Sequence, residues 1–176
     1  MSARFDYDPV IAKAWASRRF KARLLAEPRA AMATLGIVPP PGVTIKVIAD
    51  TPETCTLVLP SPPAPGVSLA EQLLTVAGGV PRAARLLSNF DRIVTSAWAA
   101  PGHKARLLGE PRAAFAALGV TPPEGISFTV VEDSDSLRHL VLPPPPPREV
   151  EFSEEAGGMV NHLARWLALI SAPFAS

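Results

Sequence analysis

The chain of 176 residues has room for one ordinary domain, or for two small ones sharing a core. Seventeen Lys and Arg against sixteen Asp and Glu leave a formal net charge of +1, which removes the electrostatic case for a nucleic-acid partner. One cysteine excludes an internal disulfide framework and an all-cysteine metal cage, while 48% hydrophobic residues exclude wholesale disorder.

The first residues, Met1 to Asp8, carry acids where a secretory signal has its apolar run, and the greasiest stretch, Leu163 to Ser176, is shorter than a spanning helix. Cytoplasmic synthesis is the expectation. Helices are expected over Pro9–Trp15, Arg18–Ala26 and Pro28–Leu35. Glu27-Pro28 breaks the second from the third, because a residue before proline avoids the helical region and proline suits a first helical position. Gly36 sits where a left-handed cap belongs, and Pro39-Pro40 forbids continuation. Val43–Val47 alternates with period two and reads as a half-buried strand. Asp50-Thr51-Pro52-Glu53 supplies turn chemistry before a second strand, Thr56–Leu59, so the expected unit is helices followed by a β-hairpin.

Ser68–Ala77 opens as a capping box, with Ser68 and Glu71, and ends in Gly78-Gly79. The earlier pattern then returns. Trp98 follows Trp15 by 83 residues, and at that offset 27 of 50 positions are identical between Ala14–Pro63 and Ala97–Pro146. Ala22-Arg23-Leu24-Leu25-Ala26-Glu27-Pro28-Arg29-Ala30-Ala31 recurs as Ala105-Arg106-Leu107-Leu108-Gly109-Glu110-Pro111-Arg112-Ala113-Ala114, and Leu57-Val58-Leu59-Pro60 as Leu140-Val141-Leu142-Pro143. Such agreement without a gap is an internal duplication. The apolar set Trp15, Phe20, Leu24, Met32, Leu35 becomes Trp98, His103, Leu107, Phe115, Leu118, in each copy one buried stripe. Strands are expected over Ile126–Val130 and His139–Leu142. A lone hairpin on so few helices is marginal, so two copies about a pseudo-twofold axis make the better core.

The proline tract from Pro143 to Pro147 is expected to be a stiff spacer. It leads to Ser153-Glu154-Glu155-Ala156-Gly157-Gly158 and a tail. The organisation is therefore a first repeat over 9–66, a connecting helix and linker over 67–92, a second repeat over 93–146, an acidic double-glycine segment over 147–158 and a tail over 159–176.

The order Arg-Leu-Leu-x-Glu-Pro-Arg-Ala-Ala, Leu-Gly, a proline pair, then strands ending Leu-Val-Leu-Pro resembles the nitrile hydratase alpha-subunit fold. It is also similar to the nitrile-hydratase-like leader peptides of ribosomally made natural products. The resemblance covers both copies and implies an α+β class, a duplicated α-β-β-α layered fold. In the hydratase it implies a Cys-x-x-Cys-Ser-Cys claw, holding cobalt or iron, just after the second strand of the first copy. This chain has Pro60-Ser61-Pro62-Pro63-Ala64-Pro65 there, which offers neither a thiolate nor a deprotonatable amide at each proline. No metal and no cofactor are expected, and hydration at that place is rejected.

The leader resemblance implies cleavage by an exporter's peptidase after Gly157-Gly158, or after Gly78-Gly79 inside the chain. A cleft can admit that pair in extended form because no Cβ intervenes. The released part would be Met159–Ser176. It lacks Cys and Thr, so lanthionine and thiazole chemistry is closed to it, leaving Asn161, Arg165, Trp166, Ser171 and Ser176 as the modifiable residues. Expected partners are maturation enzymes and a peptidase-containing exporter of the bacteriocin type; a homodimer stays open. Val160, Leu163, Trp166, Leu167 and Ile170 lie at helical spacing, so the tail is either a docked helix or an exported, membrane-active peptide. The other class of function is a claw-less structural partner or chaperone of a hydratase complex, and a nitrile hydratase-like metalloenzyme, which requires the missing cysteines, is the residual alternative.

Other residues point to structure. Cys55 reads as a small buried hydrophobe. His103, His139 and His162 lack ligand spacing, and Ser61, Asp50 and His139 form a triad only on paper, with no nucleophile elbow. Arg23, Arg29, Arg106 and Arg112 recur identically, to snorkel or to pair with Glu27 and Glu110, with docking of a maturation enzyme as the competing role.

Overall fold

A computed structural model describes residues 8–62 and 92–145. The expected helix at Ser68–Ala77, both Gly-Gly pairs, the acidic segment and the tail lie outside the described residues.

Three helices open the chain: α1 (Asp8–Ala16), α2 (Arg18–Ala26) and α3 (Pro28–Ala33). Ser17 caps α2, its hydroxyl accepting from the Phe20 amide at 3.2 Å, which satisfies a donor that the first turn leaves orphaned. Glu27 is non-helical at φ −134° because Pro28 follows it, so the chain turns there and starts α3 with proline in its first turn. Gly36 ends the helical run at φ +74°, a conformation that costs a residue with a Cβ about 1 kcal/mol or more. Strands β1 (Thr44–Ala49) and β2 (Thr54–Leu59) follow.

The second half repeats this order at the same offset. Residues 92–99 form α4, then come α5 (Pro101–Gly109), α6 (Pro111–Ala117), β3 (Ser127–Glu132) and β4 (Leu137–Leu142). Glu110 repeats the pre-proline break at φ −133°, and Gly119 repeats the cap at φ +71°. Ala100 replaces the capping serine, with Pro101 at the start of α5 removing one of the donors a cap would serve. Among the described residues no helix is long and apolar enough to cross a membrane.

The strands correct the expected hairpins. β1 pairs in parallel with β4, Thr44 opposite Leu137 through Ala49 opposite Leu142. β2 pairs in parallel with β3, Thr54 opposite Ser127 through Leu59 opposite Glu132. Each two-stranded sheet thus takes one strand from each repeat. The physical reasons are visible in the sequence. Thr51-Pro52-Glu53 contains no two-residue Asn-Gly or Asp-Gly turn of the kind whose twist suits a tight hairpin. The Leu-Val-Leu ends of β2 and β4 are continuous apolar runs rather than alternating ones, as strands of buried parallel sheets are.

Two compact units result. One is built from described residues up to Thr51 and from Asp133 onward, the other from Pro52 to Glu132. In the first, Val10, Ile11, Ala14, Leu24, Met32 and Ile45 pack with Leu140 and Leu142 of β4, and Trp15, Phe20 and Leu35 close over them half-buried. In the second, Cys55, Leu57 and Leu59 of β2 pack with Ile93, Leu107, Phe115 and Phe128. Phe115 and Phe128 meet edge to face, with centroids 5.6 Å apart. His103 departs from the expected stripe. It is exposed where Phe20 of the first repeat is half-buried, because its ring carries polar nitrogens and turns to Ser96 Oγ, 3.2 Å from Nδ1.

The repeated tryptophans tie strand ends to helices. Trp15 Nε1 donates to the Pro143 carbonyl at 2.9 Å, and Trp98 Nε1 to the Pro60 carbonyl at 3.2 Å. Each prolyl carbonyl lies just past the end of a strand drawn from the other repeat.

Exchange of strands makes one repeat insufficient by itself. Residues 1–66 expressed alone keep β1 and β2 but lose both partners, and an unpaired strand on three short helices does not fold in water. We expect such a fragment to give a disordered far-UV circular dichroism spectrum and no cooperative urea transition. A dispersed amide NMR spectrum from it would refute the pairing.

Candidate functional site

The place where the resemblance locates the metal claw is the segment after β2. Its described residues are Pro60, Ser61 and Pro62. Pro60 is held by its carbonyl, which accepts from Trp98, so the backbone here is fixed by a structural bond. Its donor chemistry does not fit a claw metal. Prolines bring no amide to deprotonate, Ser61 brings a hydroxyl in place of a thiol, and the only sulfur of a cysteine is elsewhere. Cys55 lies inside β2 at 1% exposure, among Leu57, Leu59 and Phe115, as expected for a buried hydrophobe. Among the described residues no group of three or more His, Cys, Asp or Glu is placed to hold a metal ion.

The histidines go to different tasks. His139, in β4, is 5% exposed at its side chain; its backbone N–H donates to Asp133 Oδ1 at 2.8 Å, and its Nδ1 lies 2.9 Å from the same oxygen. Arg138 reaches the other oxygen of Asp133 at 3.7 Å. The carboxylate thus organises the turn leading into β4. Asp50 is buried at 4% and Ser61 stands on the loop after β2, so the paper triad of Ser61, Asp50 and His139 is replaced by an Asp133–His139 pair. The run Asp133-Ser134-Asp135-Ser136 is legible in the sequence as turn chemistry, but the pairing of Asp133 with His139 is not.

A second place holds polar groups beside a hollow. A cavity of about 150 Å³ is lined by Ile93, Ala97, Leu107 and Leu118, with Ser96, His103 and Arg106 at its polar side. Ser96 and His103 are within hydrogen-bond reach of one another, yet the histidine is exposed and the serine half-buried, and among the described residues no carboxylate orients the ring. Without an orienting group the pair lacks what activates a serine nucleophile. The hollow exists where the sequence changes phenylalanine to histidine.

The repeated arginines divide. Arg29 donates to the carbonyls of Pro39, Pro40 and Val43, and Arg112 to those of Pro123 and Ile126. Each guanidinium clamps the proline loop that precedes a strand, with Arg112 also 5.9 Å from the Phe128 ring centroid. Arg23 and Arg106 do not form the expected ion pairs with Glu27 and Glu110; in each pair only the backbone bond from the glutamate N–H to the arginine carbonyl is made. The charges lie on exposed helix ends where water competes successfully. The remaining sequence-predicted site residues, Gly78, Gly79, Gly157, Gly158, Asn161, Arg165, Trp166, Ser171 and Ser176, lie outside the described residues, as does His162.

Comparison with known proteins gives this geometry its setting. The family model of the nitrile hydratase alpha chain matches residues 3–63. The alpha subunit of the low-molecular-weight, cobalt-containing nitrile hydratase of Rhodococcus rhodochrous is 25% identical over 146 residues. That alignment takes in 83% of this chain but 61% of the relative, so the chain spans about three-fifths of the length of that subunit. Among solved structures, two double-mutant forms of the Fe-type nitrile hydratase from Comamonas testosteroni Ni1 superpose with TM-scores of 0.52, at 25% and 26% identity. Each superposition covers 97% of this chain and 75% of the other.

The cavity yields a direct check on the His103 assignment. Replacing His103→Phe restores the apolar residue of the first repeat and buries part of a phenyl ring. We expect a stabilisation of about 1 kcal/mol in urea unfolding, with an unchanged m-value. Loss of stability would mean that the His103–Ser96 contact outweighs the hollow.

Proposed function

We propose that this chain, a nitrile-hydratase-like relative of the alpha subunit, is a non-catalytic leader-type precursor of a ribosomally made peptide. The observation that carries the reading is the loop after β2: where the relatives named for cobalt or iron would need soft ligands, it offers prolines and one serine, and Cys55 is sealed in the core. A fold kept without its metal chemistry is suited to being recognised. In this role the folded residues are read by maturation enzymes, and an exporter's peptidase cuts after Gly157-Gly158, freeing Met159–Ser176. Gly78-Gly79 is the internal alternative.

One observation favours a second reading. The Rhodococcus relative is named a subunit, so a claw-less partner or chaperone of a hydratase complex fits the same likeness. The two part at the peptidase. Incubation of the full chain with a double-glycine exporter peptidase is expected to release a peptide with the mass of residues 159–176, detected by mass spectrometry. An intact chain after complete digestion of a control precursor would remove the leader reading, and co-purification with a hydratase beta subunit would install the second. Cobalt or iron bound at one equivalent after purification from metal-supplemented medium would overturn both, because each requires a loop without claw chemistry.

A further inference from the structure

Helix α2 presents an unusual surface. Its sequence, Arg18-Arg19-Phe20-Lys21-Ala22-Arg23-Leu24-Leu25-Ala26, holds four cations and no acid. Leu24 is buried and Phe20 half-buried against the core, so at 100° per residue the four cations spread around the opposite arc. Arg18, Arg19 and Arg23 are exposed, and Lys21 is half-buried. Among the described residues none of the four side chains makes an ion pair or a side-chain hydrogen bond. Leu25, 43% exposed, stands in the middle of them. Four like charges on one short helix repel each other, and the arrangement is stabilised by an anion laid across it.

The chain contains a complement. Residues 149–155 read Glu149-Val150-Glu151-Phe152-Ser153-Glu154-Glu155, four acids and no cation, with two apolar side chains between the first acids and the last. The charge count matches the four of α2, and Phe152 or Val150 offers an apolar partner for Leu25. The path is short as well. The Trp15 indole holds the Pro143 carbonyl at 2.9 Å, and Trp15 lies two residues before the cap of α2, so β4 delivers the chain beside the start of this helix. From Pro143 to Glu149 a polyproline-type stretch reaches about 19 Å. Helix α2 is about 13 Å long. The acidic segment can therefore lie along it without strain.

We propose that the basic face of α2 holds Glu149–Glu155 of the same chain, so that Gly157-Gly158 is presented at a fixed place beside the fold. The contact is electrostatic, with Leu25 as its apolar centre, and it stands whether or not the chain is cut there. It is a surface contact, so salt above about 0.3 M, where the screening length falls well below 10 Å, loosens it.

Zero-length carbodiimide coupling of the full chain at low concentration tests the contact, because it joins an amine to a carboxylate only where they touch. Lys104, whose Nζ lies 2.9 Å from Glu132 Oε1, provides the internal standard. We expect Lys21 to couple to glutamates within 149–155 in monomeric chain, with a yield that falls roughly fivefold in the triple variant Glu151→Arg, Glu154→Arg, Glu155→Arg and with added salt. In a second variant, Arg18→Gln with Arg19→Gln and Arg23→Gln, coupling of Lys21 to glutamates within 149–155 falls as well, because the attraction that holds the segment is weakened. Arg18, Arg19 and Arg23 are exposed, and an unchanged far-UV circular dichroism spectrum shows that the fold is intact, with the Lys104–Glu132 product as the standard for the reaction. A Lys21 yield no higher than that of Lys13 or Lys46 overturns the proposal. So does coupling found only between isotopically distinct chains mixed before reaction, which would assign α2 to a second copy. Peptidase cleavage reads out separately, so loss of the cut with retained coupling would fail the leader reading and leave this contact standing.

Discussion

A parallel strand pair needs a long crossover, because the two strands must run the same way while the chain returns to its starting end. Here that requirement shapes the whole molecule. β1 waits for β4, and β2 waits for β3, so the second sheet needs the chain as far as Glu132 and the first as far as Leu142. The register obeys the same exchange: Thr44 lies opposite Leu137 and Thr54 opposite Ser127, and replacing each residue of one pair by its equivalent in the other repeat gives the other pair with its members reversed. Duplication is therefore a structural necessity in this fold and not mere redundancy. Contacts between residues so distant in sequence carry a large loop-closure cost, which the buried leucines of β2 and β4 must offset.

What fixes the exchanged strands is a small set of side chains that return at the same offset. Trp15 and Trp98 each donate an indole N–H to the prolyl carbonyl after a strand from the other repeat. Arg29 and Arg112 each gather the carbonyls of the proline loop before a strand of their own. Proline can be used this freely because its missing donor is no loss at a loop, while its carbonyl remains available to a neighbour. The tryptophan bonds act between repeats and the arginine bonds within one. Together they hold both ends of the strand run, which explains why tryptophan, arginine and proline are kept while Met32 drifts to Phe115 and Ile45 to Phe128.

The helices were legible from sequence because their signals are local. Pre-proline breaks, a capping serine and positive-φ glycines act within a few residues, and Gly36 and Gly119 fall where the spacing puts them. Strand positions were legible too, through period-two alternation in β1 and β3. Strand pairing was not. Two strands separated by four residues suggest a hairpin by proximity alone, and the contrary cue, Leu-Val-Leu without alternation, is short. The clamp of Arg29 was invisible for another reason: the guanidinium chooses backbone carbonyls over a glutamate, and backbone acceptors leave no mark in the sequence. The pairing of Asp133 was hidden in the same way, since a turn acid and a binding acid look alike until the histidine is seen beside it.

The loop after β2 shows how such a fold can part from its chemistry. At that loop the Trp98 indole holds the backbone carbonyl of Pro60, a bond that any residue at position 60 could accept. The core residues Leu57 and Leu59 stop just before the loop, and Cys55 serves packing from within β2. What cannot be lost is the pattern of strands, indoles and clamps that makes the surface rigid. A rigid surface is the property that recognition by another protein draws on, since little conformational freedom remains to be given up on binding. Selection on such a chain would act on its exposed helices, and α2, with its four cations facing outward, is where the charge has collected.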